Sequence, residues 1–192
     1  MTAVTNELTT SRLTLRGWRV EDAPAALEVY GRAEVTRWLS PEMDRVPDVR
    51  AMKLLLQQWI AESARLPAPS GRWAVVRDAD GLLVGGAHLL PLPPGQEDLE
   101  VGWQLRPDTW GYGYATETMH VLAGWAFGHD MDEVFAVVRP GNARASSTVR
   151  KNGMHWVGES GKYFGLDLQV FRLRMADLDA AAPTSPGPPG VD

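Results

Sequence analysis

The stretch Arg106-Pro-Asp-Thr-Trp-Gly-Tyr-Gly-Tyr-Ala-Thr-Glu117 decides how the rest of the chain reads. It joins an alternating segment to a helical one, and Gly111 and Gly113 stand at the junction. Two nearby glycines let a backbone turn tightly, so that several amide N–H groups point into one concavity. The helix that follows adds its own unpaired amides and the positive end of its dipole. Together these suit a diphosphate. The turn is not a P-loop, because no Lys-Ser/Thr follows Gly113. It is not the dinucleotide fingerprint either, because the third glycine would fall at Thr116.

Working outward, Leu99, Val101, Trp103 and Leu105 alternate with Glu100, Gly102, Gln104 and Arg106, which predicts a strand entering the turn. Ala115, Met119, Leu122 and Ala126 share one face of a helix leaving it and running to about Phe127. Upstream, Arg72 to Arg77 and Leu82 to Leu90 read as two strands joined by the Asp78-Ala79-Asp80-Gly81 turn. Before them lie a strand from Ser11 to Trp18, a helix opening at Asp22 toward Trp38, and a helix from about Asp48 to Arg65. Downstream, Val134 to Val138 reads as a strand covered on both faces. A short helix from about Asn142 to Asn152 follows, then strands at Met154 to Glu159 and Leu166 to Arg174. The order β-α-α-β-β-β-α-β-α-β-β describes a mixed α/β (α+β) chain whose three central strands form an antiparallel meander, not a doubly wound sheet.

Two motifs at this separation carry a resemblance. The run Trp110-Gly-Tyr-Gly-Tyr-Ala-Thr-Glu117 resembles motif A of the GNAT acetyltransferases, Gln/Arg-x-x-Gly-x-Gly/Ala, with Asp108 departing at the first position. The segment from Arg139 to Gly158 resembles the second motif of the branch containing ribosomal-protein N-terminal alanine acetyltransferases (the RimJ/RimL type). Asn142, Lys151, Gly153 and Met154 fall in register. Ala145 holds the motif's serine position, with Ser146 and Ser147 beside it, and Thr148 holds the valine position. The Ser-Arg-Leu-Thr-Leu-Arg strand at Ser11 and the Glu-Asp-Ala-Pro helix opening at Glu21 are similar to the same branch. The likeness runs from about Ser11 to Arg174 in element order.

The resemblance implies a mostly antiparallel twisted sheet of about seven strands with helices on both faces. It implies acetyl-CoA as co-substrate and direct attack by an amine on the thioester in a ternary complex. The backbone of Trp110, Gly111, Tyr112, Gly113, Tyr114, Ala115 and Thr116 would hold the pyrophosphate, with Tyr112 and Tyr114 packing against the cofactor. Leu105 and Asn142 would lie along the pantetheine arm, and Asn142 also suits a helix N-cap. Glu100 is the candidate base and His88 the second candidate, since a carboxylate in a cleft can have its pKa raised toward usefulness. Tyr163 and Ser146 are the candidates to protonate the leaving thiolate. Trp38, Trp59, Trp73 and Trp103 are candidates for an acceptor pocket, because aromatic faces favour cationic and apolar groups.

Composition narrows the alternatives. A chain of 192 residues, 44% hydrophobic, supports one domain, placed at residues 1–179. A net charge of −5 with interspersed signs argues against nucleic acid as a direct partner. The absence of cysteine excludes disulfides, thiolate metal sites and a covalent thioester on the protein, and no metal is expected. Met1 to Ser11 has no leader pattern, and no apolar run reaches the roughly 18 residues of a membrane span. A cytoplasmic enzyme, monomer or homodimer, is expected, with a small molecule or protein N-terminus as the amine acceptor. Ala180 to Asp192, rich in proline and glycine, is expected to be a disordered tail. A non-catalytic acyl-CoA-binding module and an unrelated phosphate-ligand protein are the other readings.

Overall fold

The computed structural model describes residues 7–95 and 97–180. Eight strands, β1 (Leu8–Thr9), β2 (Leu13–Gly17), β3 (Gly71–Arg77), β4 (Leu83–Pro91), β5 (Leu99–Leu105), β6 (Glu133–Val138), β7 (His155–Ser160) and β8 (Leu168–Arg174), form one sheet. Their order is β1-β2-β3-β4-β5-β6-β8-β7. Every neighbouring pair is antiparallel except β5 and β6. The meander β3-β4-β5 follows from the Asp78–Gly81 turn, where Arg77 and Leu82 close a backbone hydrogen bond of 2.8 Å. The sheet has one strand more than expected. Strand β1 is two residues long, too short for a periodic pattern, and pairs Leu8 with Leu15.

Among the described residues six α-helices cover the two faces: α1 (Ala23–Tyr30), α2 (Ala33–Thr36), α3 (Val49–Ser63), α4 (Tyr114–Phe127), α5 (Ala143–Lys151) and α6 (Met175–Ala180). On one face α4 buries Met119, Leu122, Ala123 and Ala126 against Leu13, Leu15, Trp73 and Val75. On the other, α1 and α3 bury Ala26, Val29, Met52 and Leu56 with Trp18 and Ala74. Alternation along β3 explains the split, since Trp73 and Val75 point to one side and Ala74 to the other. Truncating a fully buried side chain such as Leu122 to alanine typically costs about 2–5 kcal/mol.

Three expectations need correction. The helix opening at Asp22 does not run to Trp38: it ends at Tyr30, Gly31 caps it, and α2 restarts at Ala33. Glycine is a poor helix interior residue. The break matters, because it swings residues 38–43 over the sheet. Strand β6 is not covered equally on both faces, for Val134, Ala136 and Val138 are buried while Phe135 and Val137 are half-buried. Ala180, assigned to the tail, closes α6, and residues 181–192 lie outside the described residues. No helix among the described residues is long and apolar enough to cross a membrane.

Candidate active site

The glycine turn has the geometry its sequence asks for. Gly111 and Gly113 adopt φ of 88° and 83°, a left-handed region that costs glycine nothing. Gly113 is the N-cap of α4. A Cβ built on Gly111 would meet no atom within 4 Å, so the backbone there is open to close approach. Asp108, the departure from motif A, is occupied by Arg106 at 2.6 and 2.9 Å in an exposed ion pair. The two tyrosines divide. Tyr112 is exposed and stacks on Tyr114 at 5.8 Å, whereas Tyr114 turns inward under the Arg12 guanidinium. Thr116 is half-buried in the first turn of α4. Its neighbour Glu117 is buried and fastens that turn to the start of β2, accepting from Thr10, Ser11 and the Arg12 amide and side chain. Burial pushes the Glu117 carboxyl up, but those bonds and the Arg12 charge outweigh it and hold it below the ordinary value.

Beside the turn, the sheet opens. Parallel strands β5 and β6 are joined at one residue pair, Glu100 with Phe135, and part beyond it. A cavity of about 470 Å³ enters this gap, lined on one side by Leu105, Trp110, Ala136, Val138, Asn142 and Ala145. Trp110 is held by an indole N–H bond to the Leu105 carbonyl at 3.0 Å and lies under the Arg144 guanidinium at 3.6 Å. Asn142 caps α5, accepting from the Ala145 amide at 3.1 Å, and lines the cavity as well. The open glycine backbone, the start of α4 and the parted strands fit the diphosphate and arm of acetyl-CoA.

The same cavity continues over the sheet face under α1 and α3, where it reaches His88 and Glu100. His88 Nε2 lies 3.6 Å from Glu100 Oε2, and each side chain is 14% exposed. Gly102 makes the arrangement possible. It is opposite His88 in the β4–β5 register, and a Cβ there would lie 2.3 Å from the imidazole Cε1 and Nε2. The sequence names both candidate bases but not their pairing, which depends on strand register. The one signal was a bare glycine in an otherwise alternating strand. Tyr30 reaches in from α1, donating to Gln104 Oε1 at 3.0 Å. Trp38, Trp59 and Trp103 line the cavity; Trp73 does not, being buried on the α4 face.

The two thiolate-acid candidates stand elsewhere. The Tyr163 hydroxyl donates to Asp98 at 2.7 Å, and Lys162 bonds the same carboxylate at 2.7 Å. Burial and then the Asp98 bond raise the Tyr163 pKa, while Lys162 and Tyr163 lower that of Asp98. Tyr163 packs with Leu92, Leu168 and Val170 and is not part of the cavity wall. Ser146 is half-buried on α5, also off the wall. The residues at the second motif's serine and valine positions, Ala145 and Thr148, line the cavity instead, and the Thr148 hydroxyl is turned back to the Arg144 carbonyl at 3.2 Å. Among the described residues no group of three or more His, Cys, Asp or Glu could hold a metal ion.

Comparison with known proteins places this geometry. The acetyltransferase (GNAT) domain family matches residues 12–155. The chain is 24% identical over 172 residues to the uncharacterized N-acetyltransferase p20 of Bacillus licheniformis, covering 86% of this chain and 94% of the relative. Its fold is similar to that of Mycobacterium smegmatis RimJ in complex with CoA-disulfide, at a TM-score of 0.70 and 20% identity over 90% of this chain and 88% of that one. It is also similar to the ribosomal-protein-S5-alanine acetyltransferase of Vibrio fischeri, at a TM-score of 0.69 and 15% identity over 88% and 96% of the two chains.

Proposed function

Because the chain belongs to the GNAT acetyltransferase family, we propose that it transfers an acetyl group from acetyl-CoA to a primary amine by direct attack in a ternary complex. One observation carries this reading. A single cavity joins the gap between β5 and β6, beside an open glycine turn, to the His88–Glu100 pair. Bound there, acetyl-CoA supplies an activated thioester. The chain's own groups do the remaining work. The amides around Gly111 and Gly113 and the start of α4 neutralise the diphosphate and fix the arm. The wall formed by Leu105, Ala136 and Val138 sheds water around it.

An incoming ammonium must lose a proton before its nitrogen attacks. Glu100, with His88 at its side, is the proposed acceptor. As the carbon–nitrogen bond forms, the carbon–sulfur bond breaks, and the second proton that the nitrogen sheds is taken up by the leaving thiolate. No step is assigned to Tyr163 or Ser146. The fold likeness to RimJ and to the S5-alanine enzyme supports the RimJ/RimL-like branch; a cytoplasmic monomer or homodimer is proposed from the sequence alone.

The test is thiol release from acetyl-CoA with a panel of primary amines, alongside calorimetric titration of CoA. Amine-dependent release above background hydrolysis is expected. CoA binding without release for any amine would favour an acyl-CoA-binding module. No CoA binding at all would favour an unrelated phosphate ligand.

A further inference from the structure

The cavity contains a cation whose guanidinium fork holds no carboxylate at hydrogen-bond distance. Arg72, on β3, lines the cavity directly opposite His88 in the β3–β4 register. Opposed strand residues have Cβ atoms about 4.5–5.5 Å apart, so the guanidinium stem rises beside the proposed base. Its side chain is 22% exposed and packs over the Trp59 ring at 5.1 Å. Its nearest carboxylate, Glu62, stays at 3.7 Å, beyond hydrogen-bond length. The Arg72 Nε is buried without a partner, and the side chain makes no hydrogen bond to any described residue.

A fold seldom keeps such a group idle. Desolvating a charge costs several kcal/mol, and a guanidinium offers five donors in a fork that matches a carboxylate bidentately. Elsewhere in this chain the fork is used that way, Arg16 clasping Asp22 with two bonds of 2.8 Å and Arg106 clasping Asp108. At Arg72 the pairing with Glu62 is a loose 3.7 Å ion pair, and no described carboxylate fills the fork. The same cavity is lined by Glu34, Glu42 and Glu100, whose negative charge favours an ammonium, and by the apolar Trp38, Leu39 and Met43. Both signs of charge therefore meet within one small space.

We infer that the acceptor is a small zwitterionic amine of the free amino acid class, its carboxylate held by Arg72 while its amine meets His88 and Glu100. This rests on the acetyltransferase reading and narrows it. A protein N-terminus has no carboxylate so near its amine and would leave the Arg72 fork with only its loose pairing to Glu62.

The experiment compares free amino acids with their carboxamides, across small, aliphatic and aromatic side chains, by kcat/KM for thiol release. The acid-to-amide ratio is taken in the native protein and in Arg72→Gln, so that the differing basicity of the two amines cancels. For the best side chain the ratio should fall roughly ten- to hundredfold in the variant, the equivalent of one or two charge-assisted bonds. Arg72→Lys, which keeps the charge but loses the fork, should fall between the two. Equal ratios in native and variant, or an N-terminal peptide outcompeting every free amino acid, would overturn the inference and leave acetyl transfer standing. Amine-free carboxylates, 3-phenylpropionate and propionate, separate the two readings, because Arg72 should bind one or both whether or not any amine is turned over. No acetylation with carboxylate binding lost in Arg72→Gln would sink the acetyltransferase reading alone. The native acid-to-amide preference needs no variant, so a poorly folded Arg72→Gln cannot shield the inference.

Discussion

Substituting Gly102 by alanine replaces one hydrogen with a methyl group at the point where the proposed chemistry is most exposed to crowding. The new Cβ would stand 2.3 Å from two atoms of the His88 ring. Carbon contacts settle at about 3.5–4.0 Å, so the ring must retreat by roughly 1.2–1.7 Å. The imidazole is the end of a side chain bordering a cavity, so it can move, and overpacking of this kind costs about 1–3 kcal/mol. Catalysis should suffer more, since a 1 Å misplacement of a reacting group is worth about 10²-fold. Turnover under saturating acetyl-CoA, followed by thiol release, should drop by about that factor. CoA affinity by calorimetry should hold, because the glycine turn is untouched. A folded Gly102→Ala protein with native turnover would refute the role given to the His88–Glu100 pair.

Three further outcomes follow from the same geometry. Glu100→Gln keeps shape and removes basicity, so turnover should fall by about 10²- to 10⁴-fold and become steeper in pH; near-native rates across pH would make Glu100 structural. Tyr163→Phe should lower stability by about 1–3 kcal/mol through the lost bond to Asp98 while leaving transfer intact, and a large loss of turnover in a stable variant would restore Tyr163 as the thiolate acid. Glu117 is held below its ordinary value of 4.5, so its contribution to stability is present above that pH and lost as pH falls through the lower folded value. Urea melts should therefore show the gap between native and Glu117→Gln closing below pH 4.5, and a gap constant with pH would contradict the pairing with Thr10 and Arg12.

What could be read in the sequence was what is local. The turn at Gly111 and Gly113, the helix start at Asp48, the N-cap at Asn142, and the meander around Asp78–Gly81 each depend on a few adjacent residues with fixed backbone preferences. What stayed hidden depends on residues brought together from afar. The turn from β1 into β2 is pinned by Glu117, more than a hundred residues away. His88 meets Glu100 only through the β4–β5 register, and Arg72 stands beside them only through the next one. Tyr163 was placed by likeness alone, and its hydroxyl is spent on Asp98. The break at Gly31 was legible as a glycine but not as an end, because α1 is amphipathic enough to continue. Its consequence, Trp38 and Met43 over the cavity, belongs to tertiary structure.

The account turns on where acetyl-CoA binds, and a crystal structure of the complex tests that most directly. The diphosphate should lie within hydrogen-bond reach of the amides between Gly111 and Tyr114, with the arm threading the gap where β5 and β6 part. The thioester carbon should end beside His88 and Glu100. Density for the cofactor on another face of the sheet, or for β5 and β6 closed into a continuous ladder with the cofactor outside it, would contradict the account.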